Sequence, residues 1–257
     1  TLMLSIRALF NKRGARRLPP EIARKRLEEV VDMAYALSKI NVVSTNDHYL
    51  TVKDWSLFTR YFITCIDNDC GDMRLDGGRI NNILNFLARV NRRLEDERVG
   101  RVIIVGGFAS ELYSGGIYRT GDIDVIIDTK NPGRAMDIVN DELRNVNARR
   151  EGRVWVSDYF GVLALDIVGV TYVGRTRVLR LDSDYVYVQS PEDCIIESLN
   201  ACVYWSSDAD CERAAAVLMM QRNSIDWTYL IDRAGRESVL NKLDEIKRLI
   251  ESKEHST

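Results

Sequence analysis

The chain has 257 residues, which is enough for one large domain or two ordinary ones with a substantial hydrophobic core. It carries 36 Lys and Arg residues against 38 Asp and Glu residues, and this balance argues against a protein that binds polyanions over its whole surface. Any contact with a nucleic acid must therefore be local.

The chain up to residue 98 predicts an N-terminal helical unit. The stretch EIARKRLEEVVDMAYALSKI, after Pro20, has apolar residues at helical spacing, and RINNILNFLARVNRRLEDER has the same pattern. Between them, STNDHYLTVKDWSLFTRYFITCI predicts a further helix that is capped by Ser44, Thr45 or Asn46. The stretch RALFNKRGARRLPPEIARKR is basic enough to follow a nucleic-acid backbone, although a solvated arm is the simpler explanation.

The composition changes at Val99 to β-branched runs punctuated by glycine, which predicts an α/β block over residues 99–190. Five strands are expected, with the sequences RVIIV, DIDVIID, RVWVS, GVLALDIVGV and DYVYVQS, and helices lie between the first three. Residues 191–257 predict a C-terminal helical unit that starts with PEDCIIESLNACVYW. We therefore expect an α/β (α+β) fold class, with a small mixed-sheet core flanked by helical units.

The cysteines indicate a reducing compartment. They are odd in number and lie mostly in apolar, helix-like segments: Cys65, Cys70, Cys194, Cys202 and Cys211. No apolar run approaches the roughly 18 residues that span a bilayer, and no signal-peptide core precedes the N-terminal basic residues. We therefore expect a cytoplasmic protein with reduced thiols and no membrane partner.

Two aspartates, Asp122 and Asp124, flank Ile123 at the start of a predicted strand. Residues two apart on a strand point to the same side, so the two carboxylates project together and repel each other. A divalent cation such as Mg²⁺ or Mn²⁺ relieves this repulsion, because such ions prefer oxygen ligands. A wet turn at the strand end is the competing interpretation of the pair taken alone.

Two further features favour a site for a cation and phosphates over a wet turn. Upstream, VIIVGG leads from a strand into Gly106 and Gly107, after which FASELY can start a helix whose N-terminus favours an anion. Downstream, GVLALDIVGV places Asp166 in an otherwise apolar strand, where an ionised carboxylate is costly unless it is paired or bound to a metal. For Asp166 alone, contact with water or with an arginine such as Arg153 is an equally good explanation.

The order of these features resembles the nucleotidyltransferase superfamily, which has the DNA polymerase β-like fold. Its motif is an apolar residue, Gly, and Gly or Ser, followed by Asp, an apolar residue and Asp or Glu, and later by a third carboxylate. The matching positions are Val105, Gly106, Gly107, Asp122, Ile123, Asp124 and Asp166. RTGDID and SPEDCIIESLNA also resemble small prokaryotic nucleotidyltransferase-like proteins that include AbiEii-type abortive-infection toxins. The resemblance covers about Val99 to Arg233.

The resemblance implies contacts with a nucleoside triphosphate (NTP) such as ATP. Gly106, Gly107 and Ser110 would cradle its β- and γ-phosphates. Arg119 or Thr120 would contact the nucleotide, with simple solvation of their loop as the alternative.

The resemblance also implies a metal centre. Asp122 and Asp124 would hold one or two Mg²⁺ or Mn²⁺ ions, and Asp166 would complete the second metal site and help to deprotonate the acceptor hydroxyl. Two ions roughly 3.5–4 Å apart would stabilise both the attacking and the leaving oxygens at the α-phosphate.

The implied function is a metal-dependent nucleotidyltransferase that moves a nucleoside monophosphate from an NTP to a hydroxyl of RNA, a protein or a small molecule. The alternative is a catalytically idle member of the fold that acts as a binding or regulatory module, for example in a toxin–antitoxin pair. Relatives in the superfamily often have a lysine at the position of Glu197 or Ser198, and this chain has no lysine from Asn131 to Asn241. The missing lysine favours the idle module. An Asp-X-Asp glycosyltransferase is a third hypothesis, against which the Gly-Gly turn argues. A homo-oligomer is compatible with all three.

Overall fold

The computed structural model describes residues 18–40, 42–46, 48–53, 77–118, 120–161, 163–181 and 184–255. Most of the predicted basic arm and the segment 54–76 lie outside this part of the chain. The described part contains eight helices: α1 (Pro20–Ile40), α2 (Gly77–Asp96), α3 (Gly106–Tyr113), α4 (Pro132–Asn145), α5 (Pro191–Tyr204), α6 (Asp208–Gln221), α7 (Trp227–Arg236) and α8 (Leu240–Glu254). None of these described helices is long and apolar enough to cross a membrane.

The same part of the chain contains nine strands: β1 (Val43–Thr45), β2 (Tyr49–Val52), β3 (Gly100–Val105), β4 (Asp122–Thr129), β5 (Arg149–Glu151), β6 (Val154–Val156), β7 (Ala164–Gly169), β8 (Thr176–Leu181) and β9 (Asp184–Gln189). They form one sheet in the order β1-β2-β8-β9-β3-β4-β7-β6-β5. At its centre β3 runs antiparallel to β4 and parallel to β9, and β4 runs parallel to β7. The predicted α/β fold class with a mixed sheet is therefore confirmed, and the sheet is larger than expected.

Strand β4 separates a buried face of the sheet from a face that carries the aspartates. Every second side chain of β4 is at most 2% exposed and belongs to the main hydrophobic core, together with side chains from α2 and α4: Ile123, Val125 and Ile127. The alternating residues, which include Asp122 and Asp124, are only half-buried and point to the other side. We call that side the carboxylate face.

The connection from β7 to β8 crosses the carboxylate face. At one end of the sheet, the backbone carbonyl of Val170 accepts a hydrogen bond from the backbone N–H of the last residue of β4. At the opposite end, the backbone carbonyl of Arg175 accepts a hydrogen bond from the backbone N–H of the residue after β9. Between these points Tyr172 N donates to Asp128 Oδ1, which lies on the carboxylate face. This connection occupies part of the face, and Asp122 and Asp124 lie at the end of β4 remote from Val170.

The helix predicted from Ser44 onwards is wrong over its described part. Residues 43–45 and 49–52 form the antiparallel pair β1 and β2, and β2 adds to the sheet by pairing in parallel with β8. The Asn46 side chain accepts hydrogen bonds from His48 N at 3.0 Å and Tyr49 N at 2.8 Å. It therefore closes a turn instead of capping a helix.

The predicted domain boundaries at residues 98 and 190 remain a prediction. In the described chain α1 packs against α6, and β1 and β2 extend the central sheet through β8. Side chains from all of these elements share one hydrophobic core.

The expectation that all thiols are reduced is wrong for Cys202 and Cys211, which form a disulfide. Cys202 lies near the end of α5 and Cys211 near the start of α6, and packing of these successive helices brings the two Cα atoms to 4.8 Å. Cys194 is a buried free thiol. Cys65 and Cys70 lie outside the described residues.

Reduction of this disulfide should lower the free energy of unfolding by about 2–3 kcal/mol, because the bond limits the freedom of the unfolded chain. Urea unfolding with and without dithiothreitol measures the difference, and Cys202→Ser with Cys211→Ser is the genetic equivalent. Equal stability under both conditions would mean that the two sulfurs are not linked in solution.

Candidate active site

The three predicted aspartates project from two neighbouring strands. Asp124 on β4 is the register partner of Asp166 on β7, and partners in a parallel pair project their side chains to the same face. Asp122, two residues earlier, shares this face. On its other side Asp124 is the partner of Val105, the last residue of β3. The aspartates therefore lie directly beside the turn from β3 into α3.

The two glycines at the start of α3 allow side chains of the site to lie against its backbone. Gly106 has a φ of +65°, and a Cβ there would lie 2.8 Å from Asp124 Oδ2. A Cβ on Gly107 would lie 3.3 Å from Thr120 Oγ1. Gly106 is thus required by its backbone conformation and by Asp124, and Gly107 leaves room for Thr120. The Gly-Gly pair and the aspartates of β4 form one packed unit.

A short chain of hydrogen bonds holds Asp122. Thr120 Oγ1 donates to Asp122 Oδ1 at 2.8 Å, and Thr120 N donates to Glu111 Oε2 at 3.0 Å. Glu111 lies on α3 and is 2% exposed, so a buried carboxylate fixes the loop that carries Thr120. Glu111 is absent from the site predicted from the sequence, where its signal is an acidic residue in the otherwise apolar FASELY.

Helix α3 begins at this end of the sheet without a side-chain cap. Its N-cap residue, Val105, makes no side-chain hydrogen bond to the first turn. Uncapped amides and the helix dipole favour an anion at such a position. One of these amides is already used, because Gly106 N donates to Gln189 Oε1 at 3.1 Å. An anion would displace this bond or use the following amides.

Ser110 and Arg119 are the predicted phosphate and nucleotide contacts that remain outside this arrangement. Ser110 is 2% exposed and lies beside the buried thiol of Cys194 on α5. Burial raises the pKa of the Cys194 thiol well above its ordinary value, so this is an uncharged contact between two helices. A phosphate contact by Ser110 stays a prediction. Arg119 lies outside the described residues.

Asp166 lies beside Asp124 and is also paired with an arginine. Its side chain is only 4% exposed, and Arg153 Nε lies 2.8 Å from Asp166 Oδ2. The contact lacks hydrogen-bond geometry, since Oδ2 has no hydrogen-bond partner among the described residues. Arg153 comes from the turn between β5 and β6 and is 70% exposed. The arginine contact that the sequence offered as an explanation of Asp166 is therefore present.

The donor chemistry of Asp122 and Asp124 fits one divalent cation, whereas Asp166 as it stands does not fit a second. Carboxylate oxygens are the ligands that Mg²⁺ and Mn²⁺ prefer, and a cation relieves the repulsion of the pair on β4. No three Asp, Glu, His or Cys side chains in the described part of the chain are arranged to hold a metal ion. The Asp166 carboxylate is already in an ion pair with the guanidinium of Arg153.

No protein-family model matches the chain, and no curated protein is significantly similar to it. One solved structure with a similar fold is an antigenic nucleotidyltransferase-like protein from Paracoccidioides brasiliensis, with 13% identity and a TM-score of 0.47 over 66% of this chain and 93% of that one. Another is the antibiotic-resistance factor ANT(2'')-Ia, with 11% identity and a TM-score of 0.34 over 68% of this chain and 98% of that one. These similarities are too low to assign a family, so function is inferred from the geometry of the site.

Proposed function

We propose that the chain is a nucleotidyltransferase that moves a nucleoside monophosphate from an NTP to a hydroxyl of RNA, a protein or a small molecule. The observation that carries this proposal is the position of Gly106, whose φ of +65° starts α3 with its backbone against Asp124. A helix start that favours an anion and a carboxylate that suits a cation are thereby adjacent. An NTP complexed with a divalent cation needs both.

Each part of the site has one task in this reaction. The uncapped first turn of α3 binds the phosphates through its amides and its dipole. Asp122 and Asp124 would hold the divalent cation, and Thr120, fixed by Glu111, orients Asp122. The cation, when bound, supplies positive charge that offsets the phosphate charge.

A catalytically idle binding or regulatory module, for example half of a toxin–antitoxin pair, is the second candidate. Two contacts favour it: Arg153 already neutralises Asp166, and Gln189 occupies the amide of Gly106. Both contacts would have to change in a two-metal site with a complete phosphate cradle.

Label transfer separates these candidates. The protein is incubated with Mg²⁺ or Mn²⁺ and each α-labelled NTP, with and without total RNA and a small-molecule extract. The proposal predicts label on RNA, on protein or on a small molecule, with release of pyrophosphate that depends on the divalent ion. NTP binding without transfer, or neither binding nor transfer, would contradict the enzyme and favour the idle module.

Replacing Gly107 by valine should weaken NTP binding by at least about tenfold, because the new side chain would cover the amides at the start of α3. Its Cβ would lie 3.3 Å from Thr120 Oγ1, a contact that a small shift relieves, so the fold should be retained. Calorimetric titration with ATP and melting curves measure both effects. Gly133→Val, in the first turn of α4, is the control for valine at a helix start. Unchanged affinity in a folded Gly107→Val variant would exclude the glycine pair from the nucleotide site.

A further inference from the structure

A tyrosine hydroxyl and a buried carboxylate join helix α6 to the loop that leads into β4. Tyr118 lies in this loop, and its hydroxyl donates to Glu212 Oε2 at 2.9 Å. Glu212 lies on α6, and only 4% of its side chain is exposed. Thr120, two residues after Tyr118, donates its own hydroxyl to Asp122 Oδ1. The carboxylate of Glu212 therefore holds the same loop that holds Asp122.

An arginine of α1 provides the positive charge that Glu212 needs. Arg26 donates from Nη2 to Glu212 Oε2 at 3.0 Å, and its Nε lies 2.8 Å from Glu212 Oε1. Burial raises the pKa of the Glu212 carboxyl above its ordinary value, and the charge of Arg26 opposes this rise. The chain just before α1 is also fixed to α6, because Leu18 N donates to Asp208 Oδ2 at 2.8 Å. Helix α1 therefore helps to keep Glu212 ionised and in place.

The loop before β4 is thus held by two helices at two positions. Glu111, on α3, accepts the hydrogen bond from Thr120 N at 3.0 Å and so fixes the backbone of that residue. Tyr118 anchors the loop to α6 two residues earlier, and a charged acceptor makes this anchor stronger than a bond between neutral groups. A loop fixed at two points keeps the Thr120 hydroxyl aimed at Asp122, because each anchor removes freedom that the other leaves.

We infer that Arg26, Glu212 and Tyr118 form a relay that positions Asp122 for the divalent cation. None of the three touches the cation or the phosphates, since each acts through the loop and Thr120. The inference rests on the proposed function, because Asp122 matters here as a ligand of the cation. It gives a part in the site to α1 and α6, two helices that lie outside the predicted α/β block of residues 99–190.

The test is the affinity of the protein for Mn²⁺, measured from the loss of the free Mn²⁺ signal in electron paramagnetic resonance. Tyr118→Phe removes one hydroxyl and keeps the ring, so the fold should be retained. It should weaken Mn²⁺ binding about fivefold, which is the effect of one lost hydrogen bond. Tyr187→Phe is the matched control and should bind Mn²⁺ like the wild type. The Tyr187 hydroxyl also donates to a carboxylate at 2.9 Å, that of Glu95, but it joins β9 to α2.

A second background separates positioning from a general loss of stability. Thr120→Val removes the hydroxyl that donates to Asp122 and keeps the branched shape, so it cuts the relay at its last step. Adding Tyr118→Phe to Thr120→Val should then weaken Mn²⁺ binding no further, because the loop has no hydroxyl left to aim. An equal loss of affinity from Tyr118→Phe in both backgrounds would mean a general structural effect and would overturn the inference.

Arg26→Gln tests the outer end of the relay. It removes the charge beside Glu212, and it should weaken Mn²⁺ binding about as much as Tyr118→Phe does. Arg24→Gln is its control, because this exposed arginine lies on the same helix and pairs with Glu28 at 3.2 Å. Melting curves establish that both arginine variants are folded. Wild-type affinity in a folded Arg26→Gln variant would overturn the inference.

The Tyr118→Phe variant also separates the inference from the proposed function. Unchanged Mn²⁺ affinity in this variant, with normal binding by the wild type, would overturn the inference and leave the proposed function intact. No Mn²⁺ binding by the wild type would contradict the cation site of the proposed function itself, and the inference with it.

Discussion

Replacing Asp122 and Asp124 together by asparagine should lower the rate of nucleotidyl transfer by at least about a thousandfold, because the charges that would hold the divalent cation are lost. Stability in the presence of chelator should be unchanged or higher, since two carboxylates on one face of β4 repel each other without a cation. Asparagine at position 122 can still accept the hydrogen bond from Thr120. Label transfer and melting curves with chelator measure the two effects.

Asp128→Asn is the control for this double variant. Asp128 lies on the same strand and the same face, but it pairs with Arg101 at 3.0 Å near the other end of β4. Its loss should lower the free energy of unfolding by about 1 kcal/mol or less and leave transfer intact. A large fall in the melting temperature of the double variant in chelator would instead show that Asp122 and Asp124 are structural.

Replacing Gly106 by alanine should impair both stability and transfer. The φ of +65° at this position costs an alanine about 1–2 kcal/mol. Its Cβ would also lie 2.8 Å from Asp124 Oδ2, so the carboxylate must move. We expect the free energy of unfolding to fall by about that amount and the rate of transfer to fall at least about tenfold.

Gly121→Ala tests whether these effects are specific to the turn. Gly121 precedes Asp122, and a Cβ there would meet nothing within 4 Å. This variant should have the stability and the rate of the wild type. The new methyl group of Gly106→Ala forces the Asp124 carboxylate to move. A fully active variant would therefore show that Asp124 has no role in the reaction.

The glycine pair and the aspartates of β4 could be predicted from the sequence because their signals are local. A strand that ends in Gly-Gly and a strand that starts with Asp-Ile-Asp each define their own geometry through backbone conformation and the alternation of side chains. The five predicted strands are present as β3, β4, β6, β7 and β9.

The contacts that complete the site depend on pairing between distant segments and could not be predicted in this way. Gln189 reaches Gly106 only because β9 lies parallel to β3, and Arg153 reaches Asp166 only because β6 pairs with β7. Arg153 was one of several partners that the sequence allowed for Asp166. Glu111 carried a weak signal, a single acid in an apolar helix, and its partner Thr120 lies nine residues away.

The errors in the fold have the same physical origin. The segment from Ser44 adopts strands because β8 offers an edge for β2, and β8 itself, TRVLRL, is absent from the predicted strands. Tertiary pairing of this kind overrides a local preference for a helix. The disulfide depends likewise on the packing of α5 against α6, which spacing in the sequence does not specify.

The most direct test of the site is a crystal structure of the protein with Mn²⁺ and a non-hydrolysable NTP analogue, with manganese located by anomalous scattering. We expect one manganese peak at Asp122 and Asp124, the phosphates at the first turn of α3, and Arg153 still paired with Asp166. An analogue bound elsewhere on the protein, or bound without manganese at these aspartates, would contradict the proposed nucleotidyltransferase site.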